Sequence, residues 1–313
     1  MTKRERMETI LRGEIPDQTP AGFWFHYPST YSVQEMAEAH LDLYRRTDMD
    51  IIKIMQDFPY PIQGSVQTLS DWRHVKVDGP DSPAFRKMAE TAQRIREGSK
   101  GEVMLFQTMF SPFKAADSAF GDALVMAHAR ENPRAVLEGV SALAEGLAEW
   151  AAAYLELGLD GIYYSAQFGE VGRFERTQWE TLVKPSDLLV LERVKAQGGR
   201  SILHICGEPE YDFRTHLDWF ADYPGDLFNW SVKDNSFSLE QGRELFRRPV
   251  LGGMNNKGNL ISGTPEEIAS EAQGILRSFG QKGFMLGADC TVQGRIDVER
   301  IRLAVEAAHA YRG

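Results

Sequence analysis

The sequence predicts a (β/α)8 barrel, and three observations carry the prediction. Eight short, apolar, β-rich runs recur along the whole chain. Longer stretches of helical pattern separate them, as in a parallel sheet built from β-α units. No Gly-x-Gly-x-x-Gly loop follows the first run, which counts against the competing doubly wound open sheet.

The N-terminus, "MTKRERMETILRG", is charged and reads as a short amphipathic helix. It lacks the apolar region and small-residue cleavage site of a signal peptide, so the expected compartment is the cytoplasm. The eight runs are "TPAGFWF", "DIIKIMQ", "EVMLFQTM", "GIYYSAQ", "SILHICG", "DLFNWSV", "PVLGGMN" and "GFMLGAD". Most are nearly continuous in apolar residues, the pattern of strands buried on both faces. Between them, "SVQEMAEAHLDLYRR" carries apolar residues at helical spacing. "NPRAVLEGVSALAEGLAEWAAAYLELG" is long, alanine-rich and ends at Gly158. In "SGTPEEIASEAQGILRSFG", Thr264 as N-cap, Pro265 at the first helical position and Glu267 at the third form a capping box, and Gly280 closes the helix. "DVERIRLAVEAAHAYRG" is the last helix. The stretch "DFPYPIQGSVQTLSDWRHVKVDGPDSP" exceeds a simple loop and is expected to fold over the barrel mouth.

The length of 313 residues suits one barrel domain spanning 1–313, with no Pro-, Gly- or Ser-rich linker to divide it. A formal charge of −10 without a basic cluster argues against nucleic acid as partner. No apolar run approaches the roughly 20 residues that span a bilayer. Two cysteines do not make a disulfide framework, so they are either inert core thiols or ligands.

Placement favours ligands. His204 and Cys206 lie at the end of the fifth run, and residues two apart on a strand face the same side. Cys290 lies just past the eighth run. In a closed barrel both strand ends open onto the same mouth, where functional residues gather. Thiolate and imidazole suit zinc, and three protein ligands leave a fourth position open for a substrate, the arrangement of a catalytic site. The plainer alternative is two small thiols packed in a core.

At these residues the chain resembles the uroporphyrinogen decarboxylase superfamily. The similarity runs through "RERMETILRGEIPDQTP", "GLDGIYYSAQFGE", "LFNWSV", "VLGGMNNKGNLISGTPEEI" and "FGQKGFMLGADCTVQGRIDVERIRLAVEAAHAY". The resemblance implies a (β/α)8 barrel with its site at the strand ends. One branch, the true decarboxylases, uses no metal and holds substrate carboxylates with arginines after the first strand. Here that stretch reads "GFWFHYPSTY", without arginine. Asp57 falls roughly where those enzymes keep a catalytic aspartate. The other branch resembles this chain at the metal: zinc methyltransferases, such as corrinoid:coenzyme M methyltransferases, carry a His-x-Cys after one strand and a single Cys after the last. His204, Cys206 and Cys290 fall on those positions.

The resemblance therefore implies a zinc-dependent methyltransferase acting between a corrinoid or folate carrier and a thiol or similar small-molecule acceptor, with a corrinoid protein as partner. Around the metal, His26 after the first run is either a proton donor, a further ligand or a structural histidine. Asp57 is a site acid or a loop cap. Asp289, beside Cys290, either orients a ligand or donor or is turned away from the site by strand alternation. Tyr164, Gln167, Trp230 and Asn255 are candidates to line the cavity, with core packing the plainer role for Trp230. The aromatic residues of "GFWFHYP" with Phe58, Tyr60, Phe110 and Phe113 suggest an apolar pocket mouth, or simply core. A decarboxylase and a non-catalytic corrinoid-, folate- or metal-binding barrel are the competing functions.

Overall fold

The computed structural model of the chain describes residues 1–293 and 296–313. Each apolar run holds one strand: β1 (Ala21–Gly22), β2 (Ile51–Ile54), β3 (Met104–Phe110), β4 (Gly161–Ala166), β5 (Arg200–Ile205), β6 (Leu227–Trp230), β7 (Val250–Met254) and β8 (Phe284–Ala288). All seven ladders are parallel, running from β2 through β3 to β8 and then to β1. Between β1 and β2 the seam is held by single contacts rather than a ladder. The Asp50 backbone N–H donates to the Ala21 carbonyl at 2.9 Å, and the Ala21 N–H donates to Asp50 Oδ2 at 2.8 Å. The result is a nearly closed (β/α)8 barrel ringed by helices.

Alternation along each strand splits the core in two. Ile51, Met55, Met104, Phe106, Tyr163, Ile202, Leu227, Leu251 and Met285 pack with Trp24 inside the barrel. The residues between them, such as Ile52, Leu105, Tyr164, Leu203 and Phe228, join the larger layer under the helices. Both faces are apolar because both are buried, which is why the runs read as continuous.

The helix Lys3–Leu11 covers the end of the barrel opposite the site. It buries Met7 and Ile10 against the interior cluster. Arg4 reaches the Val103 carbonyl at 3.0 Å and Glu8 pairs with Arg200 at 3.1 Å, both at strand starts. Thr2 and Glu5 form its capping box, and Thr264 and Glu267 do the same for Pro265–Phe279, which ends at Gly280 with φ +83°. Capping of this kind stabilises a helix start by about 1 kcal/mol.

The stretch 57–83 departs from expectation. Only its first residues stand near the mouth, where the Tyr60 hydroxyl accepts from the Phe110 N–H at 3.1 Å. The remainder forms a small antiparallel pair, Ile62–Gln63 with Lys76–Val77, and a helical turn, Leu69–His74. These pack on the flank of the helix Pro133–Glu156. Trp72 fills the space at Gly139, Val77 lies over Gly146, and Trp150 Nε1 donates to the Asp78 carbonyl at 2.7 Å. The apolar side chains of this stretch find their burial against that helix instead of over the opening.

Candidate functional site

The C-terminal strand ends surround a cavity of about 330 Å³. On β5, Ile202 faces the interior, so His204 and Cys206 share its side by strand alternation. Cys290 follows β8. The three converge: Cys290 Sγ lies 3.4 Å from His204 Nε2 and 4.0 Å from Cys206 Sγ, and all three ligand atoms fall within 4.8 Å of one another. His204 is buried and its Nδ1 has no hydrogen-bond partner among the described residues. Its ring packs on Tyr163, centroids 5.7 Å apart.

The two thiols are not equivalent. The hydrogen bond from Cys206, together with the nearby His204 ring, pushes Cys290 well below the usual thiol range. As the donor in that bond, and buried, Cys206 is pushed up. A cation placed among these atoms would stabilise ionisation of both thiols.

Of the other residues singled out from the sequence, His26, Gln167 and Phe110 lie at the cavity. His26 is at its rim, half exposed, with Nδ1 2.5 Å from Asp57 Oδ1. Gln167 lines the wall and its Nε2 donates to Glu208. Asp57 stands behind His26: its second oxygen accepts from the Tyr27 N–H at 2.9 Å. Its carboxylate is buried, and it fixes the His26 ring instead of facing the cavity.

Four others are placed outside the cavity lining. Tyr164 points into the helix layer, where its hydroxyl donates to Asp187 at 2.7 Å, and its neighbour Tyr163 lines the cavity instead. Trp230 packs outward against Phe246 and Gly242, and its Nε1 donates to the Phe237 carbonyl at 3.0 Å. Asn255 turns away as the chain leaves β7, so that Asn256 reaches the cavity in its place. Asp289 is buried, with Oδ2 accepting from the Lys233 N–H at 3.3 Å, and burial lifts its carboxyl to about 7. It braces the turn beside Cys290.

Several lining residues had no sequence signal strong enough to be singled out. Lys114 pairs with Glu208 at 2.9 Å and Asp117 at 2.8 Å. Lys257 pairs with Asp234 at 3.0 Å and covers the Phe213 ring at 3.7 Å. Lys53 lies deep inside the barrel. Its signal was present, a single charge in the middle of the apolar run "DIIKIMQ". With Phe110, which the sequence marks for the pocket mouth, Met55, Tyr163, Ile205 and Phe213 supply the apolar walls. Among the described residues no helix is long and apolar enough to cross a membrane.

Comparison with known proteins agrees with this architecture. A methyltransferase from Methanosarcina mazei superposes with a TM-score of 0.79 at 17% identity, covering 98% of each chain. A B12-independent methionine synthase from Shewanella sp. W3-18-1, in complex with selenomethionine, superposes with a TM-score of 0.64 at 14% identity, covering 93% of this chain and 94% of that one. At such identity the likeness is one of fold. No curated protein sequence matches the chain. The sequence profile of the family described as Uroporphyrinogen decarboxylase (URO-D) matches residues 57–311, from the aspartate behind His26 through both cysteines to the last helix. That match spans well over half the chain, and on it this barrel belongs to the uroporphyrinogen decarboxylase family of enzymes.

Proposed function

We propose that the chain is a zinc-dependent methyltransferase, moving a methyl group between a corrinoid or folate carrier and a thiol or similar small-molecule acceptor. The convergence of Cys206, Cys290 and His204 at the cavity carries the reading. Two sulfurs and an imidazole are a donor set suited to zinc. Their separations of 3.4 and 4.0 Å compare with tetrahedral edges of about 3.5–3.8 Å at ordinary zinc–sulfur and zinc–nitrogen bond lengths. Three ligands leave a position for substrate on the cavity side.

Zinc held by these residues supplies a Lewis acid that keeps an acceptor thiol deprotonated at neutral pH. Cys206, Cys290 and His204 would hold the ion, and both thiols would bind it as thiolates. Met55, Phe110, Tyr163 and Ile205 exclude water from the reacting sulfur. His26, held by Asp57 at the rim, is the group placed to move a proton at the opening. The methyl carrier, a methyl-corrinoid on a partner protein, would approach from that side.

The absence of arginine from "GFWFHYPSTY" and from the described cavity lining favours methyl transfer over decarboxylation of a substrate with many carboxylates. The fold likeness to the Methanosarcina mazei methyltransferase and the methionine synthase supports the same choice. The test is elemental analysis of purified protein followed by turnover with methyl-corrinoid and methyl-folate donors and a panel of thiols. Stoichiometric zinc with methylated thiol is the expected result. Zinc without turnover would leave a binding barrel, and decarboxylation without zinc would overturn the reading.

A further inference from the structure

The linear sequence shows no basic cluster, but the fold assembles one. At the barrel end opposite the cysteines, a cleft of about 660 Å³ opens between the starts of β6, β7 and β8 and the end of the helix Lys3–Leu11. Arg12, Arg243, Arg247, Arg248 and Lys282 line it, against one carboxylate, Asp226. The chain as a whole carries a formal charge of −10, so this concentration of cations runs against the trend of the molecule.

Most of these cations are unmatched. Arg12 pairs with Glu14 at 2.8 Å. Asp226 faces Arg200 at 3.5 Å and accepts from the Ser201 N–H at 2.8 Å. Among the described residues no carboxylate oxygen lies within 4.0 Å of the charged groups of Arg243, Arg247, Arg248 or Lys282. Arg243 is nevertheless held in place. Its guanidinium lies 3.5 Å from the centroid of the Phe279 ring and donates to the carbonyls of Phe279 at 3.3 Å and Lys282 at 3.2 Å. Arg248 Nη1 donates to the Arg247 carbonyl at 3.2 Å. These contacts orient the guanidinium groups without neutralising them.

A plainer role covers part of this. Arg243 stands in the last turn of the helix Leu239–Phe246, where a cation complements the helix dipole. Residues at this end of a barrel ordinarily serve stability. Four unpaired cations around one hollow do the reverse, because they repel one another. An anion in the cleft removes that repulsion.

We propose that this cleft binds a small polyanion carrying a diphosphate or triphosphate group. Three arginines offer planar donor forks that match phosphate oxygens two at a time. Four unmatched cations suit several negative charges better than one. Leu11 and Pro249 are the apolar side chains of the described lining, so the cleft offers little to a ring or an apolar peptide side chain. Recognition there rests on charge. The bound polyphosphate touches both the chain leaving Lys3–Leu11 and the starts of three strands, so it fastens that helix end to the barrel floor. The inference does not depend on the methyl-transfer reading, whose cavity lies at the other end.

The experiment uses the full chain, stripped of metal so that no ion bridges protein and phosphate. Isothermal titration compares inorganic triphosphate, diphosphate and orthophosphate. Triphosphate should bind with a Kd of about 100 µM or tighter, and orthophosphate at least about tenfold more weakly. Triphosphate should also raise the melting temperature. Arg247→Asn with Arg248→Gln removes two exposed cations, and asparagine tolerates the left-handed backbone at Arg247, φ +51°. This pair should keep its fold and lose affinity by about tenfold or more. Lys282→Gln, a single exposed change, should weaken binding by about threefold or more and keeps the test open if the pair unfolds. Arg45→Gln with Arg46→Gln takes the same charge from the helix Val33–Thr47 and should leave affinity unchanged. Equal affinity for triphosphate and orthophosphate, wild-type affinity in the cleft variants, or an equal loss in the Arg45 and Arg46 control overturns the inference. So does a glutamate-rich peptide that displaces triphosphate at a lower concentration than triphosphate itself needs, which would make the cleft a protein-docking surface.

Discussion

Cys206 Sγ and Cys290 Sγ, 84 positions apart in sequence, lie 4.0 Å from each other at the barrel mouth. The distance is too long for a disulfide bond, whose sulfurs sit about 2.0 Å apart. It suits two sulfurs sharing one ion with the His204 ring.

Replacing either cysteine with serine should cost zinc and turnover together. A two-ligand remnant should bind zinc weaker by at least about 100-fold, and metal-to-protein ratios after dialysis against a chelator would show it. Thermal unfolding should change little, since the cluster lies at the mouth and the hydrophobic interior beneath it is untouched. Full zinc content in both variants would remove the centre from these residues.

The strands were legible because burial on both faces makes apolar runs. That same property hid which side chains point inward. In "GIYYSAQ", Tyr163 and Tyr164 are equivalent as text, yet one lines the cavity and the other bonds Asp187. Counting in steps of two back from Gln167 would have selected Tyr163. Cys206 and His204 passed the same test, being two apart. Asn255 failed for a different reason: the strand ends at Met254, and alternation does not survive the turn. The placement of 57–83 was out of reach, because its packing depends on gaps at Gly139 and Gly146 in a helix more than 50 residues away.

His26 and Asp57 form a pair at the rim with 2.5 Å between ring nitrogen and carboxylate. His26→Gln should lower turnover by about 100-fold, the usual size of a general acid–base contribution, with zinc content unchanged. Asp57→Asn should give a smaller loss, because the ring remains but its orientation loosens. Unaltered kinetics in both would leave the pair as a structural clasp between β1 and β2.

Uroporphyrinogen should not be a substrate. Its several carboxylates would meet no described arginine in the lining, and two of the three lysines there are already paired with acids. An anaerobic incubation followed by chromatography of the oxidised porphyrins should show no stepwise loss of carboxylate at an enzymatic rate.

Gly242 faces the indole of Trp230, and a β-carbon there would meet Cζ2 and Cη2 of the ring. In an exposed helix, Gly→Ala gains up to about 1 kcal/mol from propensity. Here the overlap should outweigh it, since Trp230 is 1% exposed and boxed in by Phe246 and Phe237. Gly242→Ala should therefore destabilise the barrel by about 1–3 kcal/mol, read from urea unfolding. A neutral or stabilising result would mean that the indole shifts without cost.

Lys53 makes stability depend on pH in a direction that can be worked out. Burial lowers its pKa from an ordinary 10.5 to about 7. Below about pH 7 the folded protein carries the full cost of a buried ammonium. As pH rises from about 7 towards 10.5, the unfolded chain keeps the proton that the folded chain has released, so this contribution favours folding more and more. Lys53→Met removes the cost outright. In metal-free protein the variant should melt above wild type, by most at about pH 6 to 7 and by progressively less towards pH 10. Cys290, Asp57 and Cys206, the negative groups that act on the ammonium, oppose the shift without reversing it. A gain in melting temperature that stays constant across that range would mean that the ammonium is not desolvated.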